Sequence, residues 1–88
     1  MSDRIEEIVN ELISEISEKV SKLESENNVI EIYFKDVLLR YNLPYTTAYV
    51  VFAHLEKNLK ELFSNDFDIF RRKGKIRIVK KLNGISWR

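Results

Sequence analysis

The stretch "FKDVLLRYNLPYTTAYVVFAHLEKNLKELF", residues 34–63, decides the fold because it reads as two helices joined by a tight turn. Apolar residues in its longer half fall three and four positions apart, which is the spacing of one helical face; these residues are Ala48, Val51, Phe52, Leu55, Leu59, Leu62 and Phe63. Asn42 tolerates the left-handed conformation in which many helices end, and Pro44 suits the first turn of a new helix. We therefore predict a short helix over 35–41 and a longer one over about 45–63.

Two extended runs follow the longer helix. "FDIF" and "KIRIVKKL" flank "RRKG", whose glycine favours a tight connection, so we predict a β-hairpin over 67–82. Ile76 and Ile78 alternate with Lys75 and Arg77 in the second run. Because successive side chains of a strand point to opposite faces, the isoleucines are expected to face the core and the bases to face outward.

The residues before this stretch supply a long helix and a short strand. A stripe of apolar residues at helical spacing predicts a helix over 3–24; the stripe is Ile5, Ile8, Val9, Leu12, Ile13, Ile16, Val20 and Leu23. "VIEIYF", residues 29–34, is β-branched and aromatic, as is typical of a strand. The stripe is long for so small a chain, so it either covers most of the core or pairs partly with a second copy in a homodimer.

Bulk composition narrows the class of protein. The 88 residues form a single domain and contain no cysteine, which excludes disulfides and cysteine-based zinc sites. The acidic, amphipathic N-terminus is unlike a signal peptide, and no apolar run reaches the roughly 20 residues that span a bilayer. We therefore expect a cytoplasmic protein without a membrane partner. The absence of Gln and Cys alongside many Lys, Glu and Ile residues is typical of a thermophile.

Charge is distributed unevenly along the chain. Residues 1–34 contain three bases and nine acids, whereas residues 35–88 contain twelve bases and five acids. The run "IFRRKGKIRIVKK", residues 69–81, has seven Lys or Arg residues and no acid. Such a run is either the solvated face of a hairpin or a contact surface for a polyanion. Its density of positive charge favours nucleic acid.

With this order of elements, residues 34–63 followed by 67–81 resemble a winged helix-turn-helix domain. The resemblance covers about 29–82 and implies an α+β fold of three helices with a C-terminal β-hairpin wing and a long N-terminal helix. It also implies that the helix over 45–63 enters the major groove of double-stranded DNA and that the wing contacts the backbone or the minor groove.

The resemblance assigns DNA-binding roles to two sets of residues. On the helix they are Tyr45, Thr46, Thr47, Tyr49, Val50, His54 and Lys57. On the wing they are the bases expected to hold phosphate, Arg71, Arg72, Lys73, Lys75 and Arg77. Val50 and Ala53 lie on the outward line of the helix but cannot hydrogen-bond to base edges. We therefore expect a transcriptional regulator or chromatin-type factor that grips DNA with limited sequence specificity.

Two other interpretations remain open. The outward apolar residues and the acidic first helix also suit a protein-docking module, an accessory subunit of a replication or transcription complex. Tyr41, Tyr45 and Tyr49 recur every four residues, either sealing the seam between two helices or forming an exposed patch. Trp87 and the "NG" turn signal at 83–84 add either an edge strand or an exposed anchor.

Catalytic groups are scarce. The chain has one histidine, two glycines and no cysteine, so it lacks the parts of a nucleophilic site, a phosphate-cradling loop or a histidine-based metal site. We expect a non-enzyme that needs neither a cofactor nor a metal.

Overall fold

The structure, a computed structural model, describes residues 2–22 and 29–81. Within them the elements are α1 (Ser2–Ser21), β1 (Val29–Tyr33), α2 (Phe34–Arg40), α3 (Tyr45–Phe63), β2 (Phe67–Arg72) and β3 (Lys75–Lys80). The strands form an antiparallel sheet in the order β1-β3-β2. The result is a small α+β fold of three helices and a three-stranded sheet, an arrangement compatible with a winged-helix layout.

The helix bounds agree with the sequence predictions closely, and α3 begins and ends as predicted. Asn42 has a φ of 53°, the left-handed conformation expected of it, and Pro44 is the N-cap of α3. The predicted end of α1 at residue 24 lies outside the described residues. The Lys22 N–H donates to the Lys19 carbonyl at 3.1 Å, a tighter turn than an α-helix makes, and α1 ends at Ser21.

Other differences concern the junction of β1 and α2. The strand was predicted to include Phe34 and the helix to begin at Lys35, whereas Phe34 is the first residue of α2. The Phe34 N–H donates to the Gly74 carbonyl in the hairpin turn at 2.8 Å, in register with the pairing of β1 and β3, so this bond continues the ladder at the residue where α2 begins. The predicted "NG" turn and Trp87 also lie outside the described residues.

The central strand, β3, pairs with both others. Ile78 lies opposite Ile30 of β1 and Ile69 of β2, and Ile76 lies opposite Ile32. Ile76 and Ile78 are fully buried, which confirms the predicted alternation. The helices cover this side of the sheet, on which Arg71 also lies opposite Ile76, whereas Glu31, Lys75 and Arg77 lie on the other side.

Most of the apolar stripe of α1 packs against the core of this one chain. Ile8, Val9, Leu12 and Ile16 are buried in the core. Among the α1 side chains that the structure describes, no large apolar one is exposed. The first interpretation of the stripe, that it covers the core, therefore accounts for most of it, and dimerisation through α1 stays a prediction.

Within the described ranges, no helix has both the length and the apolar content needed to cross a bilayer.

Candidate functional site

A groove of about 320 Å³ lies between the first half of α3 and the turn of the β2–β3 hairpin. Its walls are aromatic on the helical side and basic on the hairpin side; they comprise Phe34, Tyr45, Tyr49, Phe52, Arg71, Arg72, Lys73, Gly74 and Lys75. The bond from the Phe34 N–H to the Gly74 carbonyl fixes the hairpin turn beside the start of α2. The groove is thus bordered by three elements whose relative positions are set by a backbone contact.

Phe34 contacts the three other aromatic residues that line the groove. Its ring contacts those of Tyr45, Tyr49 and Phe52 at centroid distances of 5.2, 6.1 and 5.5 Å, all in edge-to-face arrangements. Such contacts follow the quadrupoles of the rings and hold each ring at a defined angle. The sequence did not reveal this cluster because Phe34 was assigned to a strand and Phe52 to the core alone.

Tyr45 and Tyr49 are unusually open for aromatic side chains, with 70% and 58% of their surface exposed. They lie one helical turn apart on α3, both against Phe34. The Arg71 guanidinium lies 5.7 Å from the Tyr49 ring centroid, a cation–π contact. These two tyrosines form an exposed patch, as one of the two sequence interpretations expected.

Tyr41, the third tyrosine at this spacing, does not line the groove. The Tyr41 hydroxyl donates to Glu11 of α1 at 2.6 Å. Burial and this hydrogen bond raise the pKa of Tyr41 to about 12. Tyr41 therefore joins α2 to α1, and the regular spacing of the three tyrosines does not correspond to one surface.

Three of the five predicted wing bases are already paired with acids. Arg71 Nε lies 3.0 Å from Glu56 of α3. Lys75 Nζ and Arg77 Nε lie 3.1 and 3.0 Å from the same Glu31 oxygen of β1. The Arg77 contact is electrostatic only, because its buried Nε is not aligned for a hydrogen bond. The run without acids is thus partly neutralised by acids from other elements.

Glu31 is the centre of a small network on the outer side of the sheet. The Tyr33 hydroxyl donates to Glu31 at 2.7 Å, and this hydrogen bond, followed by that from Lys75, lowers the pKa of the Glu31 carboxyl. The same bond raises the pKa of Tyr33. Glu31 therefore stays ionised and keeps its hold on two of the predicted phosphate ligands.

The other two wing bases have no acidic partner in the part of the chain that the structure describes. Arg72 and Lys73 are exposed at the hairpin turn, and neither has an acidic partner among residues 2–22 and 29–81. Lys35 is likewise exposed and unpaired within those ranges, and it follows Phe34 beside the turn. Two cations without counter-charges from the described residues thus line the groove, and a third, Lys35, is adjacent in sequence to its lining residue Phe34.

The remaining predicted helix residues lie on the side of α3 away from the core. Thr46, Val50, His54 and Lys57 are exposed, as is Ala53, and Thr47 is half-buried. They form a surface next to the groove, whereas Arg77 lies on the outer side of the sheet, beside Glu31. The predicted residues therefore divide between the groove, the exposed face of α3 and the outer side of the sheet.

No protein-family model, curated protein or solved structure matches this chain. In the part of the chain that the structure describes, no three His, Asp or Glu side chains are grouped so as to hold a metal ion.

Proposed function

We propose that this protein binds double-stranded DNA as a winged helix-turn-helix domain, with the β2–β3 hairpin as the wing and α3 as the helix presented to the major groove. The proposal rests on the cations of the hairpin turn. Arg72 and Lys73, with Lys35 nearby, are exposed and have no acidic partner in the described ranges. Clustered, uncompensated cations repel one another, and a polyanion relieves this repulsion.

The order of elements supports the same proposal. The hairpin follows α3 directly, and its second strand pairs with β1, so the turn projects beside the first half of α3. The backbone bond between Phe34 and Gly74 holds the turn in place. A wing fixed in this way binds with a smaller loss of conformational entropy than a free loop.

The residues on the exposed face of α3 bear on the sequence specificity of the proposed DNA binding. Val50 and Ala53 offer only apolar contact to a thymine methyl, and base discrimination in the major groove depends mainly on hydrogen bonds. Pro44 makes no side-chain cap at the start of α3, so the first-turn N–H groups are available to a phosphate. We infer backbone binding with modest specificity, as suits a chromatin-type factor or a weakly selective regulator.

A salt titration of duplex binding tests the proposal. Arg72→Ala/Lys73→Ala is compared with Lys19→Ala/Lys22→Ala, which removes the same charge from the end of α1. That end lies against the far end of the hairpin, near Lys80 and Lys81. Each phosphate contact contributes about −0.9 to the slope of log K against log salt. The hairpin variant is expected to bind more weakly and to lose about two units of slope.

The control variant is expected to retain the slope and most of the affinity of the parent. Equal losses in both variants would mean that only net charge matters and that the hairpin is not a wing. Unchanged binding by the hairpin variant would also contradict the proposal.

One observation favours a second function, that of a docking module in a replication or transcription complex. Val50 is 42% exposed on α3, and Leu39 of α2 is 64% exposed. Exposed aliphatic side chains of this kind occur at protein interfaces. Absence of duplex binding even at low salt would favour this alternative.

A further inference from the structure

We infer that the groove between α3 and the hairpin turn binds an unpaired nucleobase, with the base stacked on Tyr45 and its flanking phosphates held by Arg72 and Lys73. The protein would then prefer duplexes that end in a single-stranded segment. This inference deepens the proposed function at the same site and rests on it for the class of ligand, a nucleic acid.

Tyr45 projects most of its side chain into solvent. It is the most exposed of the large apolar side chains in the described ranges, at 70%. Within those ranges its one ring contact is with Phe34, edge to face at 5.2 Å and 69°. A single edge-to-face contact leaves most of the ring surface open, so Tyr45 offers an exposed ring on which a base can stack.

The neighbouring groups extend this platform. Tyr49 lies one turn further along α3, and Arg71 is held beside its ring by Glu56 at 3.0 Å. A guanidinium plane also stacks on bases, so the wall of the groove continues with a surface of the same kind. Phe34 contacts both tyrosine rings and restricts their rotamers in the free protein. This lowers the conformational entropy that the two side chains lose on binding.

Charge determines which planar ligand suits the groove. Arg72 and Lys73 line its hairpin side without acidic partners in the described ranges, so the ligand must be anionic. The volume of about 320 Å³ is at the lower end for small-molecule sites and suits a ligand of nucleotide size. A nucleotide combines a flat aromatic face with an adjacent phosphate. Stacking does not depend on the identity of the base, which agrees with the modest sequence specificity inferred for α3.

The test compares three labelled DNA duplexes of equal charge per phosphate: blunt, with a short oligothymidine overhang, and with an abasic overhang of the same length. Stacking of a base on an aromatic side chain is worth about 1–3 kcal/mol, or about five- to 150-fold in affinity. The thymidine overhang is expected to bind tighter than the blunt duplex by a factor in this range. The abasic overhang is expected to recover little of that gain.

Variants assign the gain to Tyr45. Tyr45→Ala is expected to bring the ratio of overhang to blunt affinity close to one, and Tyr45→Phe is expected to retain it because the ring remains. Leu62→Ala is the matched control, since Leu62 is a 58% exposed apolar residue at the far end of α3. Its ratio is expected to equal that of the parent.

Several results would overturn the inference and leave the proposed function standing. Equal affinity for abasic and thymidine overhangs would show phosphate contact without stacking. A ratio unchanged in Tyr45→Ala would place the base elsewhere, and displacement of the overhang by a glutamate–tyrosine copolymer at equal charge would indicate an acidic peptide as ligand. By contrast, overhang binding that depends on Tyr45, with no binding to the blunt duplex, would reject duplex recognition and keep the stacking site.

Discussion

Some basic residues of the hairpin are paired with acids, and others have no acidic partner in the described ranges. Their positions in the sequence do not show which are paired. The alternation of Ile76 and Ile78 with bases predicted correctly which side chains face outward. The partners of those bases could not be predicted, because Glu31 reaches Lys75 and Arg77 only through the pairing of β1 with β3. A lone acid in the otherwise apolar and aromatic run "VIEIY" was the one available signal of this pairing.

Replacing Glu31 with Gln is expected to strengthen duplex binding. The change keeps the size of the side chain but removes the charge that engages Lys75 and Arg77, so both cations become available to phosphate. We expect affinity to rise several-fold and the salt slope to steepen by up to about two units. A filter-binding or anisotropy titration at several salt concentrations measures both quantities.

Glu61→Gln is the matched control for this prediction. Glu61 is exposed on α3 and has no cationic partner in the described ranges, so its substitution changes net charge without releasing a base. If both variants gained affinity and slope equally, the ion pairs of Glu31 would have no bearing on binding.

Among the elements, the β2–β3 hairpin has a turn residue, Lys73, whose backbone conformation is unfavourable for lysine and whose side chain is charged. Lys73 and Gly74 have φ values of 43° and 77°, and positive φ at both central residues is what a type I′ turn requires. Asn and Gly are the residues usual in such turns, whereas a lysine there is strained by about 1 kcal/mol. Under the proposed function, the charge of Lys73 at this strained position, which has no acidic partner in the described ranges, is the reason for a lysine there.

Lys73→Asn is therefore expected to separate stability from binding. Asn adopts the left-handed conformation more easily, so the melting temperature should rise by several degrees, while duplex affinity falls with the lost charge. Arg72→Asn is the control, because it removes a charge from a residue of normal φ and should lower affinity without raising the melting temperature. A rise in stability without any loss of affinity would mean that Lys73 does not contact DNA.

The elements themselves were largely predictable, but their assembly was less so. The bounds of α3 followed from its apolar spacing between Pro44 and the break after Phe63, which are local signals. Phe34 was assigned to the strand because its β-branched neighbours favour one, and its N–H does continue the β1–β3 pairing to Gly74, but α2 already begins at this residue. The ring contacts of Phe34 join α2 to α3, so they were not visible in local patterns.

At the level of the whole molecule, the acidic first helix is used to hold the domain together. Arg40 at the end of α2 donates to both carboxylate oxygens of Glu15, and this hydrogen bond lowers the pKa of the Glu15 carboxyl. Arg4 donates to the Tyr41 carbonyl at 3.0 Å, and Tyr41 donates to Glu11. Glu11 and Glu15, which gave the helix part of its acidic character, are thus engaged within the chain rather than left for a partner.

The raised pKa of Tyr41 leads to a prediction about alkaline stability. Because its folded-state pKa of about 12 exceeds the ordinary value of 10.0, Tyr41 contributes stability that is complete below pH 10 and lost as the pH rises through 12. Tyr41→Phe cannot ionise and should therefore lose less melting temperature than the parent between pH 9 and 11.5, apart from its lower starting stability.

Thermal unfolding followed by circular dichroism measures this difference. Tyr33→Phe is a useful comparison, since the pKa of Tyr33 is also raised, by its hydrogen bond to Glu31 on an open surface. An alkaline loss of the same size in the parent and in Tyr41→Phe would show that ionisation of Tyr41 is not coupled to folding.

The hydrogen bond from the Phe34 amide to the Gly74 carbonyl also provides a direct probe of motion between elements. Its donor is the first residue of a helix and its acceptor lies in a hairpin turn, so the bond opens only when these two elements separate. The rate at which this proton exchanges with deuterium therefore reports the free energy of opening this contact. A ligand that bridges the groove slows exchange at this single amide, whichever chemical class the ligand belongs to.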